Sequence, residues 1–195
     1  MEFLKLMKRR RSIRKYQERQ ISREDLERVL EAGSYAPNAG GGQRTMLVGV
    51  YDRALAEKLG KLNAAAMDRS KLLGGYVSAD QPSLIDDPTI KSGFYGAPSL
   101  CIVFAPEGFL YGTPDAFCCA ENMVLAATEL GLASCIVARG EETFDNDFGR
   151  KLMEEWGVPE NWTARCFVTI GYCDGAYPAP KERRPGRTII VGGGE

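Results

Sequence analysis

The stretch from residue 113 to residue 130 constrains the fold more than any other part of this 195-residue chain. Thr113 and Pro114 are a helix-capping residue followed by proline at the first helical position, and Gly131 is typical of a helix end. Apolar residues form one stripe along this segment, and most of its other residues are also small or apolar. We therefore predict a helix that is buried nearly all round, in a large core or in a subunit interface.

The remaining pattern supplies a sheet and further helices for this core. Apolar runs typical of buried strands cover residues 45–51, 97–105, 133–137 and 164–171, and an edge strand is predicted over 188–191. Helices are predicted over residues 2–9, 22–33, 52–67 and 143–156. This order favours an α+β fold in a single domain, residues 1–195, with a central mixed β-sheet of four or five strands flanked by helices on both faces.

Composition narrows the class of protein. The chain is 44% hydrophobic and 26% charged with a net charge of -1, as expected of a soluble globular domain. It has no apolar run long enough to span a membrane and no visible signal peptide, so we expect a cytoplasmic protein.

Cysteine and histidine usage limits the chemistry. Six cysteines include no Cys-x-x-Cys pair, and the chain has no histidine, so no zinc site is expected and a reducing compartment is indicated. Cys101, Cys135 and Cys166 lie in apolar runs and are predicted to pack as small buried hydrophobes. The missing histidine also excludes Ser-His and Cys-His nucleophiles, so an enzymatic function would depend on a cofactor.

A basic run, residues 8–16, contains six cations, Ser12 and Tyr16. It could be a solvated basic face, a nucleic-acid contact, or a pocket in which arginine forks and a hydroxyl hold one phosphate. The nearly neutral net charge argues against nucleic acid as the main partner.

Two irregular segments remain. Residues 37–44 contain three consecutive glycines and are predicted to be neither helix nor strand, which suits either a flexible loop or a backbone that closely approaches a flat ligand. Residues 68–93 are predicted as loop with at most one short helix, typical of a lid, a binding segment or disorder.

Four stretches, taken in order, resemble the FMN-dependent nitroreductase family. They are Arg10-Arg-Ser-Ile-Arg14-Lys-Tyr; Ala36-Pro-Asn-Ala-Gly-Gly-Gly-Gln43; Gly96-Ala-Pro98 leading through Asp115 to Gly131-Leu-Ala-Ser-Cys-Ile136; and Val158-Pro159, Ile170-Gly-Tyr172 and Lys181-Glu-Arg183. The resemblance covers residues 2–190, whereas residues 68–93 match nothing in the family pattern.

The resemblance implies a set of flavin-binding residues. Arg10 and Ser12 would hold the FMN phosphate with support from Arg11, and Lys181 and Arg183 would reach it from the tail. Arg14 would approach the pyrimidine edge of the ring and stabilise the reduced flavin. The remaining implied contacts are Pro37, Asn38, Ala39, Gly41 and Gln43 from the partner subunit, and the backbone of Ile136, Val137 and Ala138.

The resemblance also implies an activity. The protein would be a domain-swapped homodimer whose C-terminal segments embrace the partner, and NAD(P)H and a nitroaromatic, quinone or related acceptor would react in turn by a ping-pong mechanism. No catalytic acid or base is predicted. Alternatives are a dehalogenase or flavin-fragmenting enzyme of the same fold, a non-catalytic FMN-binding protein, and an anion- or nucleic-acid-binding module.

Overall fold

A four-stranded sheet forms the centre of the computed structural model, which describes residues 2–67 and 77–192. The strands are β1 (Met46–Val50), β2 (Ser99–Pro106), β3 (Ala133–Val137) and β4 (Trp162–Gly171), in the order β1-β2-β4-β3. The predicted α+β class is confirmed. The named strands pair antiparallel throughout, so the sheet differs from the expected mixed sheet; parallel pairing occurs at the isolated bridge between Ser12 and Ser134.

Five α-helices of the described residues surround the sheet: α1 (Phe3–Arg9), α2 (Arg23–Ser34), α3 (Arg53–Ala66), α4 (Gly112–Glu129) and α5 (Asp147–Glu155). The caps of two helices are as predicted, because Ser22 accepts the Asp25 amide and Asp52 accepts the amides that open α3.

Two helix starts differ from the prediction. Tyr111 is the N-cap of α4, and Pro114 lies within the first turn. Amides in the first turn have no acceptor within the helix, so the missing amide hydrogen of proline costs no hydrogen bond there. The predicted start of α5 at residue 143 falls in a 3-10 turn, Glu141–Phe144. The α-helix begins after it, because Asn146 is the N-cap and accepts the Gly149 amide.

Both faces of the sheet are covered, and the strands alternate between them. Along β2, Cys101 and Val103 pack towards α2 and α4, whereas Leu100 and Phe104 pack on the other face against α3 and the segment of α5. Most of α4 is buried within the chain itself, as its apolar composition predicts.

The cysteines pack as predicted. All six are free, and Cys101, Cys135 and Cys166 are buried. Burial raises the pKa of the Cys101 thiol to about 12, so this group stays protonated and behaves as a small apolar side chain. Within the described ranges, none of the helices is both long enough and apolar enough to span a membrane.

The C-terminal segment corrects one prediction. Residues 188–191 do not form the predicted edge strand, and the side chains of Ile189, Ile190 and Val191 are 82%, 95% and 91% exposed. Strand formation requires a partner edge, and the segment pairs with none within the described part of this subunit. Of the irregular stretch 68–93, residues 77–93 form turns and loop as predicted, and residues 68–76 lie outside the described residues.

Candidate functional site

Three distant segments enclose a cleft of about 310 Å³. Residues 77–81 and 178–179 contribute to its walls. Six of the residues predicted to bind a ligand also line it: Arg10, Arg11, Ser12, Arg14, Lys181 and Arg183. The structure therefore brings together the basic cluster near the N-terminus and the basic tail.

Backbone pairing with β3 holds the N-terminal part of the cleft in place. The Ile13 amide donates to the Ser134 carbonyl at 2.9 Å, and the Ile13 side chain is fully buried. Because side chains alternate along extended backbone, Ser12 and Arg14 point away from the core while Ile13 points into it.

Tyr16, the aromatic residue of the same motif, fixes this segment from below. Its hydroxyl donates to the Ile13 carbonyl at 2.6 Å and lies 2.6 Å from the hydroxyl of Thr169 on β4. Burial raises the pKa of Tyr16 well above its usual value, so the phenol remains neutral and keeps its hydrogen for this bond. Tyr16 is thus a structural support for the cleft.

Gln81 holds the other side of the same segment. Its side-chain oxygen accepts hydrogen bonds from the backbone amides of Arg14 at 2.5 Å and Lys15 at 3.0 Å. Its backbone carbonyl accepts one from the Arg14 guanidinium at 3.3 Å. Gln81 is buried, so these bonds are shielded from competing water. They orient Arg14 along the cleft wall.

The tail closes the cleft through two contacts. The Lys181 ammonium donates to the Val77 carbonyl at 2.8 Å, and the Tyr177 hydroxyl accepts the Arg11 amide at 3.1 Å. These bonds place Lys181 and the nearby Arg183 opposite the N-terminal cluster.

Arg11 is oriented differently from the other cations. Its guanidinium donates to the carbonyls of Lys8 and Arg10, which belong to the last turn and C-cap of α1. Burial lowers the pKa of Arg11; the neighbouring Tyr177 opposes this, whereas the charges of Arg10 and Arg183 lower it further. Arg11 therefore supports the cleft from behind, and the charges of Arg10 and Arg183 both lie near its guanidinium group.

The cations of the cleft have no carboxylate partner within the described part of the chain. Among residues 2–67 and 77–192, Arg10, Arg14, Lys181 and Arg183 form no salt bridge with a carboxylate. One acid, Asp80, lines the cleft, but it is exposed and forms no ion pair there. Several like charges that form no ion pair with the one acid of the cleft favour an anionic ligand, and a phosphate dianion suits this set of arginine, lysine and hydroxyl donors.

The glycine loop is ordered and lies elsewhere. Residues Ala39–Gly41 form a 3-10 turn with Gly40 and Gly41 at φ values of 58° and 63°, so the prediction that residues 37–44 contain no helical structure is wrong for this one turn. The Asn38 side-chain oxygen accepts the Gln43 amide at 2.8 Å and closes the loop. The left-handed backbone at these two positions explains why glycine occupies them, because other residues adopt that conformation only with strain.

The buried carboxylate of Asp115 anchors this loop to α4. Its two oxygens accept the Ala39 amide at 3.0 and 3.2 Å. None of the five predicted loop residues is among those that line the cleft in this chain: Pro37, Asn38, Ala39, Gly41 and Gln43.

The predicted backbone segment at the end of β3 is adjacent to the cleft through the Ile13–Ser134 pairing. Ile136 and Val137 direct their side chains into the cores on opposite faces of the sheet, and Ala138 is exposed just beyond the strand. The side chains of Ile136 and Val137 are therefore structural, which leaves their backbone groups for ligand contact.

Sequence reasoning assigned no role to several residues that shape this region. Gln81 lies in the stretch without a recognisable pattern, and no sequence signal marked it. Tyr95 and Arg139 pair with each other through a hydrogen bond of 2.9 Å, and Tyr95 is a non-glycine residue at φ 59°. The sequence places Asp115 at the start of a predicted helix and in the family motif, but nothing in it indicates that Asp115 anchors the glycine loop.

Comparison with known proteins gives a consistent result. The model of the Nitroreductase family matches residues 7–172. A protein of Archaeoglobus fulgidus whose name includes NAD(P)H nitroreductase is 29% identical over 174 residues, covering 88% of this chain and 85% of that protein. An NADPH-dependent oxidoreductase of Staphylococcus epidermidis is 27% identical over 190 residues, covering 95% of this chain and 70% of that protein. The crystal structure of a nitroreductase with bound FMN from Bacteroides fragilis superposes with a TM-score of 0.79 at 31% identity, covering 98% of this chain and 100% of that one.

Proposed function

Because the chain belongs to the nitroreductase family, we propose that it is an FMN-dependent oxidoreductase that uses NAD(P)H to reduce nitroaromatics, quinones or related acceptors. The observation that carries this proposal is the convergence of Arg10, Ser12, Lys181 and Arg183 on one cleft. The relatives that are named as nitroreductase or oxidoreductase, and the similar structure with bound FMN, support it.

The residues present fit the FMN phosphate. Arg10 and Arg183 would supply guanidinium forks, Lys181 a compact charge and Ser12 a hydroxyl, while Arg11 braces α1 behind them. Bound FMN would supply the electron transfer between donor and acceptor. The chain would contribute orientation and positive charge, and Arg14, fixed by Gln81, would lie where the flavin ring extends from the phosphate.

We also propose that the protein acts as a homodimer. The glycine loop is ordered by Asn38 and Asp115 but does not reach the cleft of its own subunit. The exposed apolar residues 189–191 have no partner in the described part of the subunit. Both features are accounted for when the loop covers the flavin ring of a second subunit and the tail packs on that subunit.

The proposed mechanism is ping-pong, with NAD(P)H leaving before the acceptor occupies the same site. Initial rates measured at several fixed NADPH concentrations against a quinone should give parallel double-reciprocal lines. In an anaerobic single-turnover experiment, NADPH alone should bleach the flavin band, and the acceptor added afterwards should restore it. Converging lines would contradict the ping-pong order. Flavin that NADH and NADPH both fail to reduce would indicate the alternative, a non-catalytic FMN-binding protein.

A further inference from the structure

Two guanidinium groups lie beside the ring of Tyr95. The Cζ atom of Arg14 is 5.9 Å from the ring centroid, and that of Arg139 is 5.8 Å from it. Both distances are within the range of a cation–π contact. Arg139 directly follows Ala138, the last residue of the backbone segment proposed to lie along the flavin ring.

Hydrogen bonds fix this arrangement. Arg139 donates through Nη2 to the Tyr95 hydroxyl at 2.9 Å and contacts the Gly93 carbonyl at 3.5 Å. The side-chain amide of Asn63 donates to the backbone carbonyl of Arg139 at 2.9 Å. Tyr95 has a φ of 59°, a left-handed conformation that costs a non-glycine residue free energy, so the surrounding contacts hold the ring where it is.

The positive charge of this cluster is not compensated. In the parts of the chain that the structure describes, neither Arg14 nor Arg139 forms a salt bridge. The Nε atom of Arg139 is also buried and has no hydrogen-bond partner among the residues that the structure describes, whereas buried donors are nearly always satisfied. An unpaired cation at a partly buried position is costly, and an anionic ligand would offset that cost.

The same arginines also lie near the buried thiol of Cys135. Burial raises the pKa of the Cys135 thiol, while Arg14, Arg139 and Arg10 each oppose that rise. Arg10, Arg14 and Arg139 therefore all lie close enough to this thiol to act on its charge. The phosphate clamp accounts for Arg10, but no feature of the proposed function so far requires Arg139.

We propose that Arg139, with Arg14 beside it, binds the carboxylate of an aromatic electron acceptor. This inference rests on the proposed function and narrows its substrate class to flat acceptors that carry a carboxylate. A guanidinium fork matches a carboxylate in geometry as well as in charge. Because the Tyr95 oxygen accepts from Arg139, the phenol hydrogen is available for the same carboxylate, and the ring offers a surface for the aromatic group.

The test compares a charged acceptor with a neutral acceptor of the same shape. In the Arg139→Gln variant, the KM for 4-nitrobenzoate should rise about 10- to 100-fold, as expected for loss of a charge-assisted hydrogen bond, whereas the KM for 4-nitrobenzyl alcohol should stay within about twofold. The Arg139→Lys variant should recover part of the loss. The Arg9→Gln variant, which removes an exposed arginine outside the cleft, should change neither value.

Equilibrium binding provides a readout that does not depend on turnover. Benzoate, which cannot be reduced, should perturb the absorption spectrum of the FMN-loaded protein. Its Kd should rise in Arg139→Gln by a factor similar to the rise in KM for 4-nitrobenzoate. In the unmodified protein, added salt should lower kcat/KM for 4-nitrobenzoate more than for the alcohol. The salt measurement uses only the unmodified protein, so it tests the inference even when the variant does not fold.

Two results would overturn the inference. An equal loss for both acceptors would show that Arg139 only supports the end of β3. A loss confined to NADPH, with NADH and both acceptors unaffected, would assign the anion to the phosphate of the donor. Failure of the unmodified protein to reduce either acceptor would instead count against the proposed function, and benzoate binding would still decide whether the anion site exists.

Discussion

The double variant Arg10→Ala/Arg183→Ala is expected to bind FMN about 10²- to 10⁴-fold more weakly than the unmodified protein. Each substitution removes a charge-assisted hydrogen bond to the phosphate, which contributes about 1.5–3 kcal/mol, and each 1.4 kcal/mol is about a factor of ten. The two arginines come from opposite ends of the chain but line one cleft. The Kd can be measured by titrating the apoprotein with FMN and following the quenching of flavin fluorescence.

The neighbouring arginines supply a matched control. Arg9→Ala/Arg184→Ala removes the same charge from the same two segments, but both side chains are exposed and neither lines the cleft. This control should change FMN affinity by less than about fivefold, because exposed charges outside contact distance are screened by salt. Riboflavin, which lacks the phosphate, should bind equally to all three proteins. Equal weakening by the control would mean that overall charge, rather than the clamp, attracts FMN.

The second large effect concerns the anchor of the glycine loop. Asp115→Ala is expected to lower the free energy of unfolding by about 2 kcal/mol, because it removes a buried carboxylate that is the charged acceptor of the half-buried Ala39 amide. Urea denaturation measures this change. Glu121→Ala is the matched control: it replaces an exposed acid of the same helix and should change stability by less than about 0.5 kcal/mol.

Asp115→Ala should also affect the flavin in a distinctive way. When the loop covers the ring of the partner subunit, releasing it should weaken FMN and riboflavin binding by the same factor, because the loop does not touch the phosphate. A variant as stable as the unmodified protein would contradict the role of Asp115 as an anchor. Selective loss of FMN over riboflavin would contradict the proposed placement of the loop.

The fold was predictable because its signals are local. The apolar composition of α4, the Ser22 and Asp52 caps and the apolar runs of the strands each depend on a few neighbouring residues, and all appear in the structure. The details that failed depend on pairing between distant segments. The antiparallel sheet, and the absence of strand pairing for residues 188–191 within the described part of the chain, depend on which edges meet, and the pattern of a single strand does not encode this.

The site was predictable only in part, for a related reason. The motif resemblance identified Arg10, Ser12 and Lys181, and the structure places them in one cleft. Gln81 and Arg139 act through contacts with residues far away in sequence, and their own neighbourhoods carry no pattern. Orienting residues of this kind become visible only when the packing is known.

The central claim is that the cationic cleft holds FMN, and the visible absorption spectrum of the purified protein tests it most directly. The protein should be yellow, with a flavin band and about one FMN per subunit, and apoprotein should regain that band when FMN is added. A colourless protein that does not take up added FMN would contradict the account.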